Sequence, residues 1–202
     1  PVLGLQNKKL DFLIMQMVRL VRGNEVVKVS KRTGKALTLN DLLDEIGVDA
    51  CRFFFNAKPD THLEFDLDLA IRQDSENPVY YVQYAHARIC SLISAMTEEG
   101  HAVPKDGEID AALMNTEQER ELIKQLAMFT EEICIAARDY DPSRVNRYVT
   151  ELAARFHRFY NNCRIKDAEP ALRDARLILC ECTEKVIANA LEIVGVTAPE
   201  KM

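Results

Sequence analysis

The feature that most restricts the fold of this 202-residue chain is a change of apolar period near residue 76. Downstream, apolar residues recur at three- and four-residue spacing through four long stretches, the repeat of a helix with one buried face. Asn77-Pro78 opens the first, an N-cap followed by the residue best suited to the first helical turn, and the stretch runs to about Thr97. Beyond a loop holding Gly100, Pro104 and Gly107, a second is marked by Leu122, Leu126, Phe129, Ile133 and Ala137. Asp141-Pro142 starts the third, with Val145, Tyr148, Leu152, Phe156, Phe159 and Cys163 inside it. Pro170 opens the fourth, through Leu172, Ala175, Leu179, Cys182, Val186, Ala190 and Ile193, with Gly195 as its cap. Four such stripes bury one another, so a helical bundle is expected over residues 76–202.

Upstream the pattern favours β structure and short helices. Phe12–Val18 is a strand-sized apolar run, and Gly23-Asn24 between Arg19–Arg22 and Glu25–Val29 predicts a hairpin. Ser30–Lys35 is polar, basic and interrupted by Gly34, hence a loop. Leu39, Leu42, Leu43 and Ile46 predict a short helix closed by Gly47, and a second runs from Asp49 through Phe53-Phe54-Phe55 until Pro59. Residues 60–75 read as irregular or briefly helical. Glu64, Asp66 and Asp68 lack the Gly and terminal Glu of a calcium loop and are expected to be solvated carboxylates or helix starts. The fold class expected is mainly α: a β-hairpin and short-helix segment over 1–75, then an α-helical bundle over 76–202.

No stretch reaches 18 uncharged apolar residues, so no membrane span is expected. The chain opens on Pro1, not Met, with no signal pattern, as a piece of a longer protein would. Six cysteines form no C-x-x-C pair and lack nearby histidines, so buried thiols in a reducing cytosol are expected, and no metal site. The net charge of −6 argues against a generic nucleic-acid coat protein, but it is unevenly spread. Residues 98–132 hold ten acids and three bases, whereas residues 138–176 hold nine bases and six acids, a candidate anion-facing surface.

Two segments carry a family resemblance. Lys28-Val29-Ser30-Lys31-Arg32 resembles the Lys-Met-Ser-Lys-Ser signature of class I aminoacyl-tRNA synthetases, with Val for Met and Arg for the last Ser. With Asp41-Leu42-Leu43-Asp44-Glu45-Ile46-Gly47 and Cys51-Arg52-Phe53-Phe54 behind it, it resembles arginyl-tRNA synthetases in particular. Glu76-Asn77-Pro78-Val79-Tyr80-Tyr81-Val82-Gln83-Tyr84-Ala85-His86-Ala87-Arg88 is similar to the start of that family's anticodon-binding domain, of DALR type. The likeness spans nearly the whole chain and is weakest over 97–135. The family's His-Ile-Gly-His signature and nucleotide-binding half are not in these 202 residues.

The resemblance implies the end of a class I catalytic domain followed by the anticodon-binding domain of an arginine–tRNA ligase that uses ATP with Mg2+ and L-arginine. Its expected setting is cytoplasmic and monomeric, with tRNA(Arg) as partner. Lys28, Ser30 and Lys31 are the implied catalytic residues, and Lys28, Lys31 and Arg32 would hold ATP phosphates. Cations there stabilise the charge that builds on the leaving pyrophosphate. Without the upstream pocket, this piece alone is expected not to charge tRNA. The structural alternative is a hydrophilic hairpin extension.

The implied RNA contacts are Tyr81, Tyr84, Arg88, Tyr160 and Met202, with Arg155 added from the charge pattern. At about 100° per residue, Val79, Val82, His86, Ile89, Ile93 and Met96 share one face of the first long helix, while Tyr81, Tyr84 and Arg88 share another. Such a ladder suits stacking on unpaired bases; alternatively both tyrosines pack on a neighbouring helix with their hydroxyls at the rim. His86 is expected to be a packed, hydrogen-bonded core residue. Arg144, Arg147, Arg155 and Arg158 form a row, interrupted by Glu151, that either meets an RNA backbone or pairs with the acidic second helix. A free-standing RNA-binding module and a helical protein-interaction scaffold are the rival functions.

Overall fold

A computed structural model describes residues 11–23, 25–27, 38–57, 62–105 and 109–202. The loop of Lys28, Ser30, Lys31 and Arg32 lies outside the described residues.

The hairpin forms where expected: β1 (Val18–Arg22) runs antiparallel to β2 (Glu25–Val26), with Val21 opposite Val26 and Arg22 opposite Glu25. The apolar run ahead of it is a correction. Only Val18 of that run is in the sheet, and Phe12 and Ile14 are 82% and 87% exposed. A third strand, β3 (Leu63–Asp66), adds in parallel to β1, giving the order β2-β1-β3 with Leu20 beside Phe65. Its alternation of buried Leu63 and Phe65 with exposed Glu64 is a half-buried strand where irregular structure was expected.

Short helices follow the capping chemistry. In α1 (Leu39–Ile46), Thr38 accepts from the Asp41 amide while Asp41 accepts from the Thr38 amide, a reciprocal box. Next come α2 (Val48–Ala57) and the single turn α3 (Leu67–Ala70), where Asp66 accepts from the amides of Asp68 and Leu69. Asp68 accepts from the Gly23 amide at 3.0 Å, and Arg22 reaches both Glu45 and Asp68, tying the hairpin turn down. Of the three acidic positions, two therefore carry structural bonds.

The bundle comprises α4 (Pro78–Glu98), α5 (Glu117–Ala127), α6 (Phe129–Asp139), α7 (Ser143–Asn162) and α8 (Pro170–Ile193). The second expected helix is two, parted at Met128, whose amide bonds to Gln125 three residues back at 3.2 Å. The division follows packing: α5 buries Glu119, Leu122 and Gln125, whereas Ala136 alone is buried on α6. The central helix is α7, which packs on α2, α4, α5, α6 and α8. Leu152, Phe156 and Phe159 on it have no exposed surface, and each such side chain contributes about 1.5–3 kcal/mol of transfer free energy. No described helix is long and apolar enough to cross a membrane.

Residue 76 does not part the interior. Phe54 and Phe65 meet edge to face at 5.3 Å in the same core that runs through α7 and α8. Asn146 Nδ2 donates to the Phe53 carbonyl at 2.6 Å, Gln83 Nε2 to Asp49 at 2.8 Å, and Asn56 to the Val194 carbonyl at 3.3 Å. Gly195 closes α8 at φ +71°, and a Cβ there would stand 2.5 Å from Arg52 Nη1. The left-handed backbone is what favours glycine here; the Arg52 guanidinium is the end of a flexible side chain and can swing aside.

One ion pair is sealed inside. Glu119 accepts from the Thr116 amide at 2.8 Å, the Thr116 hydroxyl at 2.7 Å and Arg176 Nε at 2.7 Å. Burial alone would raise its pKa, but the Thr116 bonds and the Arg176 guanidinium outweigh that and hold the carboxyl below its usual value.

Candidate nucleic-acid interface

The start of α4 sets an aromatic edge against α7. Asn77 fixes that start: its carbonyl oxygen accepts from the Val79 amide, and its amide group donates to the carbonyls of Ala70 and Arg72. With the helix phase so pinned, Val79, Val82, Ala85, His86 and Ile89 point inward and Tyr80, Tyr81, Tyr84 and Arg88 look toward α7.

Together with Ser75, His157 and Asn161, those four line an open cleft of about 390 Å³ with no acidic residue in its wall. Tyr80 and Tyr84 lie parallel within 5°, ring centres 6.2 Å apart. Tyr81 rests on His157 at 4.8 Å, and Tyr84 stacks near the same imidazole at 6.0 Å. The Arg88 guanidinium sits 4.0 Å from the centre of the Tyr160 ring and 5.8 Å from that of Tyr84. Among the described residues no carboxylate forms an ion pair with it, so the cation is positioned by two aromatic faces with its charge available.

The two tyrosine expectations divide. Tyr84 is 41% exposed, whereas Tyr81 is half-buried against α7, where burial raises its hydroxyl pKa. Tyr84, Arg88 and Tyr160 come together in one cluster. Met202 is exposed at the end of a tail that passes α4 where the Pro199 carbonyl meets His86.

Arg155 belongs elsewhere. Its guanidinium bonds to Glu121 at 2.7 Å, to Glu151 at 2.8 Å and to the Glu121 carbonyl at 3.1 Å. Arg144 pairs with Glu132 at 2.8 Å, and Arg158 with Glu151 at 3.2 Å. The row on α7 is thus engaged in ion pairs within the molecule: two reach Glu121 of α5 and Glu132 of α6, and the rest go to Glu151 on α7 itself and, from Arg147, to Asp141 just ahead of it.

Tyr80, His157 and Asn161 are site residues that the sequence reading omits. Tyr80 and Tyr84 stand at i and i+4, a spacing that carries the signal; the placing of His157 depends on how α7 docks. Burial, then the nearby Arg88 charge, push the His157 pKa down, so its ring is neutral near pH 7, and its Nε2 is buried without a hydrogen-bond partner.

The cysteines depart from expectation in part. Cys51, Cys163 and Cys180 are buried, Cys90 is half-buried, and Cys134 and Cys182 are exposed; none is in a disulfide. Cys90 does have a histidine beside it, one turn away: His86, packed and hydrogen-bonded as expected. The expectation of cysteines without nearby histidines therefore fails at Cys90.

Residues 82–202 match the family model described as the DALR anticodon binding domain. Among curated relatives, an arginine–tRNA ligase of Caldanaerobacter subterraneus is 52% identical over 201 residues, 99% of this chain and 36% of that protein. One from Acetivibrio thermocellus is 51% identical over 195 residues, 96% of this chain and 35% of that protein. The chain thus spans about a third of the length of the relatives it matches. A Campylobacter jejuni protein described as an arginyl tRNA synthetase superposes with a TM-score of 0.80 at 32% identity, covering 94% of this chain and 40% of that one. The arginyl-tRNA synthetase of Thermus thermophilus gives a TM-score of 0.67 at 26% identity, covering 86% and 29%.

Proposed function

Given that this chain belongs to the DALR anticodon binding domain family, we propose that it is the carboxy-terminal part of an arginine–tRNA ligase and that the cleft between α4 and α7 holds the anticodon loop of tRNA(Arg). The observation that carries this reading is the cleft itself. It offers flat rings and one unneutralised guanidinium, and no wall carboxylate repels phosphate. Loop nucleotides present unpaired bases and a polyanionic backbone, and rings plus a cation answer both. Tyr84 supplies the exposed face, Arg88 the charge, and Tyr81 and His157 the packed floor. Met202, at the end of the exposed tail, is retained as a further contact.

The remainder of the proposal rests on motif and relatives. Lys28, Ser30, Lys31 and Arg32 would close on the phosphates of ATP in the complete protein, which would join L-arginine to tRNA with Mg2+. The isolated chain would bind tRNA without charging it.

Filter binding of tRNA(Arg), against the same tRNA with its anticodon loop replaced, tests the reading. At least a tenfold preference for the intact loop is expected. Equal binding would leave a protein scaffold or a nonspecific RNA binder as the better description.

A further inference from the structure

On the side of α4 away from the aromatic edge, His86, Cys90 and Glu184 converge, their nearest donor atoms all within 4.8 Å of one another. His86 is 3% exposed, and both of its ring nitrogens are engaged. Nδ1 lies 2.9 Å from the Pro199 carbonyl and Nε2 lies 3.1 Å from Glu184 Oε1. Both partners are acceptors, since a carbonyl cannot donate and neither can an ionised carboxylate. A neutral imidazole has one N–H, so it sets a lone pair against an oxygen on one side or the other. A cation seated between His86 Nε2 and Glu184 would satisfy both lone pairs.

Cys90 decides which kind. Its sulfur is 3.7 Å from Nδ1 and 4.0 Å from Nε2, one helical turn along the same face. A histidine Nε2, a thiolate and a carboxylate are the ligand types that zinc takes. With metal–ligand bonds of about 2.0–2.3 Å, the edges of a tetrahedron are roughly 3.3–3.6 Å. The Nε2–Oε1 separation of 3.1 Å is close to that, whereas the sulfur lies 4.0 Å from Nε2 and the three atoms spread over up to 4.8 Å, so the Cys90 side chain has to turn inward for the ion to be held. The remaining contact has the form of an outer-sphere bond, Nδ1–H donating to a backbone carbonyl, which fixes the tautomer that frees Nε2 for a metal.

We infer that His86 Nε2, Cys90 Sγ and Glu184 Oε1 form a three-ligand site for a divalent cation of the zinc class, with water completing the coordination. The Pro199 carbonyl held by His86 places the C-terminal tail in the outer sphere, so occupancy fastens residues 199–202 to α4 and α8. The test of the site contains no RNA, so its failure is distinguishable from failure of the RNA reading.

The full chain, freed of metal by chelator, is titrated with Co2+, a spectroscopic stand-in for zinc. One equivalent is expected to bind, with ligand-field bands of tetrahedral cobalt and a sulfur-to-cobalt charge-transfer band, and one equivalent of Zn2+ should displace it. Cys90→Ser should lose the charge-transfer band and bind at least tenfold more weakly. Glu184→Gln should keep that band and also bind at least tenfold more weakly. Circular dichroism confirms that each variant is folded; if Cys90→Ser does not fold, Glu184→Gln decides. No tetrahedral bands in the unaltered chain would overturn the proposal. So would bands that persist unchanged in the decisive variant, which would place the ion on other thiols such as exposed Cys134.

Discussion

Replacing Tyr84 with Ala separates stacking from charge at the cleft. Stacking of one base on an aromatic side chain is worth about 1–3 kcal/mol by alanine substitution. Tyr84 already has Tyr80 within 5° of parallel and His157 at 6.0 Å beside it, so only the exposed part of its ring is open to a base. The lower half of that range applies, roughly 1–2 kcal/mol, or about a 5- to 30-fold weaker Kd. Fold stability should change little, since 41% of the residue is exposed. No charge is removed, so the slope of log K against log salt should stay fixed. Tyr84→Phe should bind within about twofold of the unaltered chain, because the ring face remains. Arg88→Gln should do the converse, lowering the slope by about 0.7 for one single-stranded phosphate contact. Filter binding at four salt concentrations reads both quantities. Unaltered affinity in Tyr84→Ala, or a slope that moves with it, would refute the stacking argument.

Three more outcomes follow from pairs described above. Arg155→Glu should leave the salt dependence of RNA binding unchanged while lowering Tm, because it sets three carboxylates together where Glu121 and Glu151 now share a cation; a reduced slope would return Arg155 to the RNA surface. Arg176→Met strands a buried Glu119 carboxylate and should cost about 3–5 kcal/mol in urea unfolding, most of it recovered in the Glu119→Leu, Arg176→Met double variant. His157 has a folded pKa below its unfolded value of about 6.5. Its stabilising effect is complete above that pH and is lost as pH falls toward the folded value, because the unfolded chain takes up the proton first. The associated loss is at most about 1.4 kcal/mol per pH unit, and His157→Gln should flatten it in melts from pH 7 to 5.

What could be read from the residues were features set by local geometry. The Asn77-Pro78 start, the apolar stripes of α4, α7 and α8 and the Gly195 cap each depend on neighbours within a turn or two. β3 escaped because four residues are too short for a period, and its buried face exists only beside β1. Nothing at Met128 forbids a helix, so the break between α5 and α6 arises from how each half meets α7. The same limit governs the site. Tyr81, Tyr84 and Arg88 could be placed on one edge from their spacing, but Tyr81 turned out half-covered because α7 presents His157 there. The arginine row left two outcomes open that only the position of α5 and α6 could separate. His86 and Cys90 announce themselves at i and i+4, whereas Glu184 is 98 residues from His86 and enters through the packing of α8.

The unbroken interior across residue 76 has a thermodynamic corollary. The family match starts at residue 82, four residues inside α4, but the hydrophobic core runs back to β3 and to Leu20 of the hairpin. Shearing the chain at that point would orphan the Asn146 amide that now meets Phe53 and would lay bare the flank of α7 covered by α2. The helix that carries the aromatic edge shares one core with β3 and β1 ahead of it, so among the described residues the two are expected to melt in a single thermal transition.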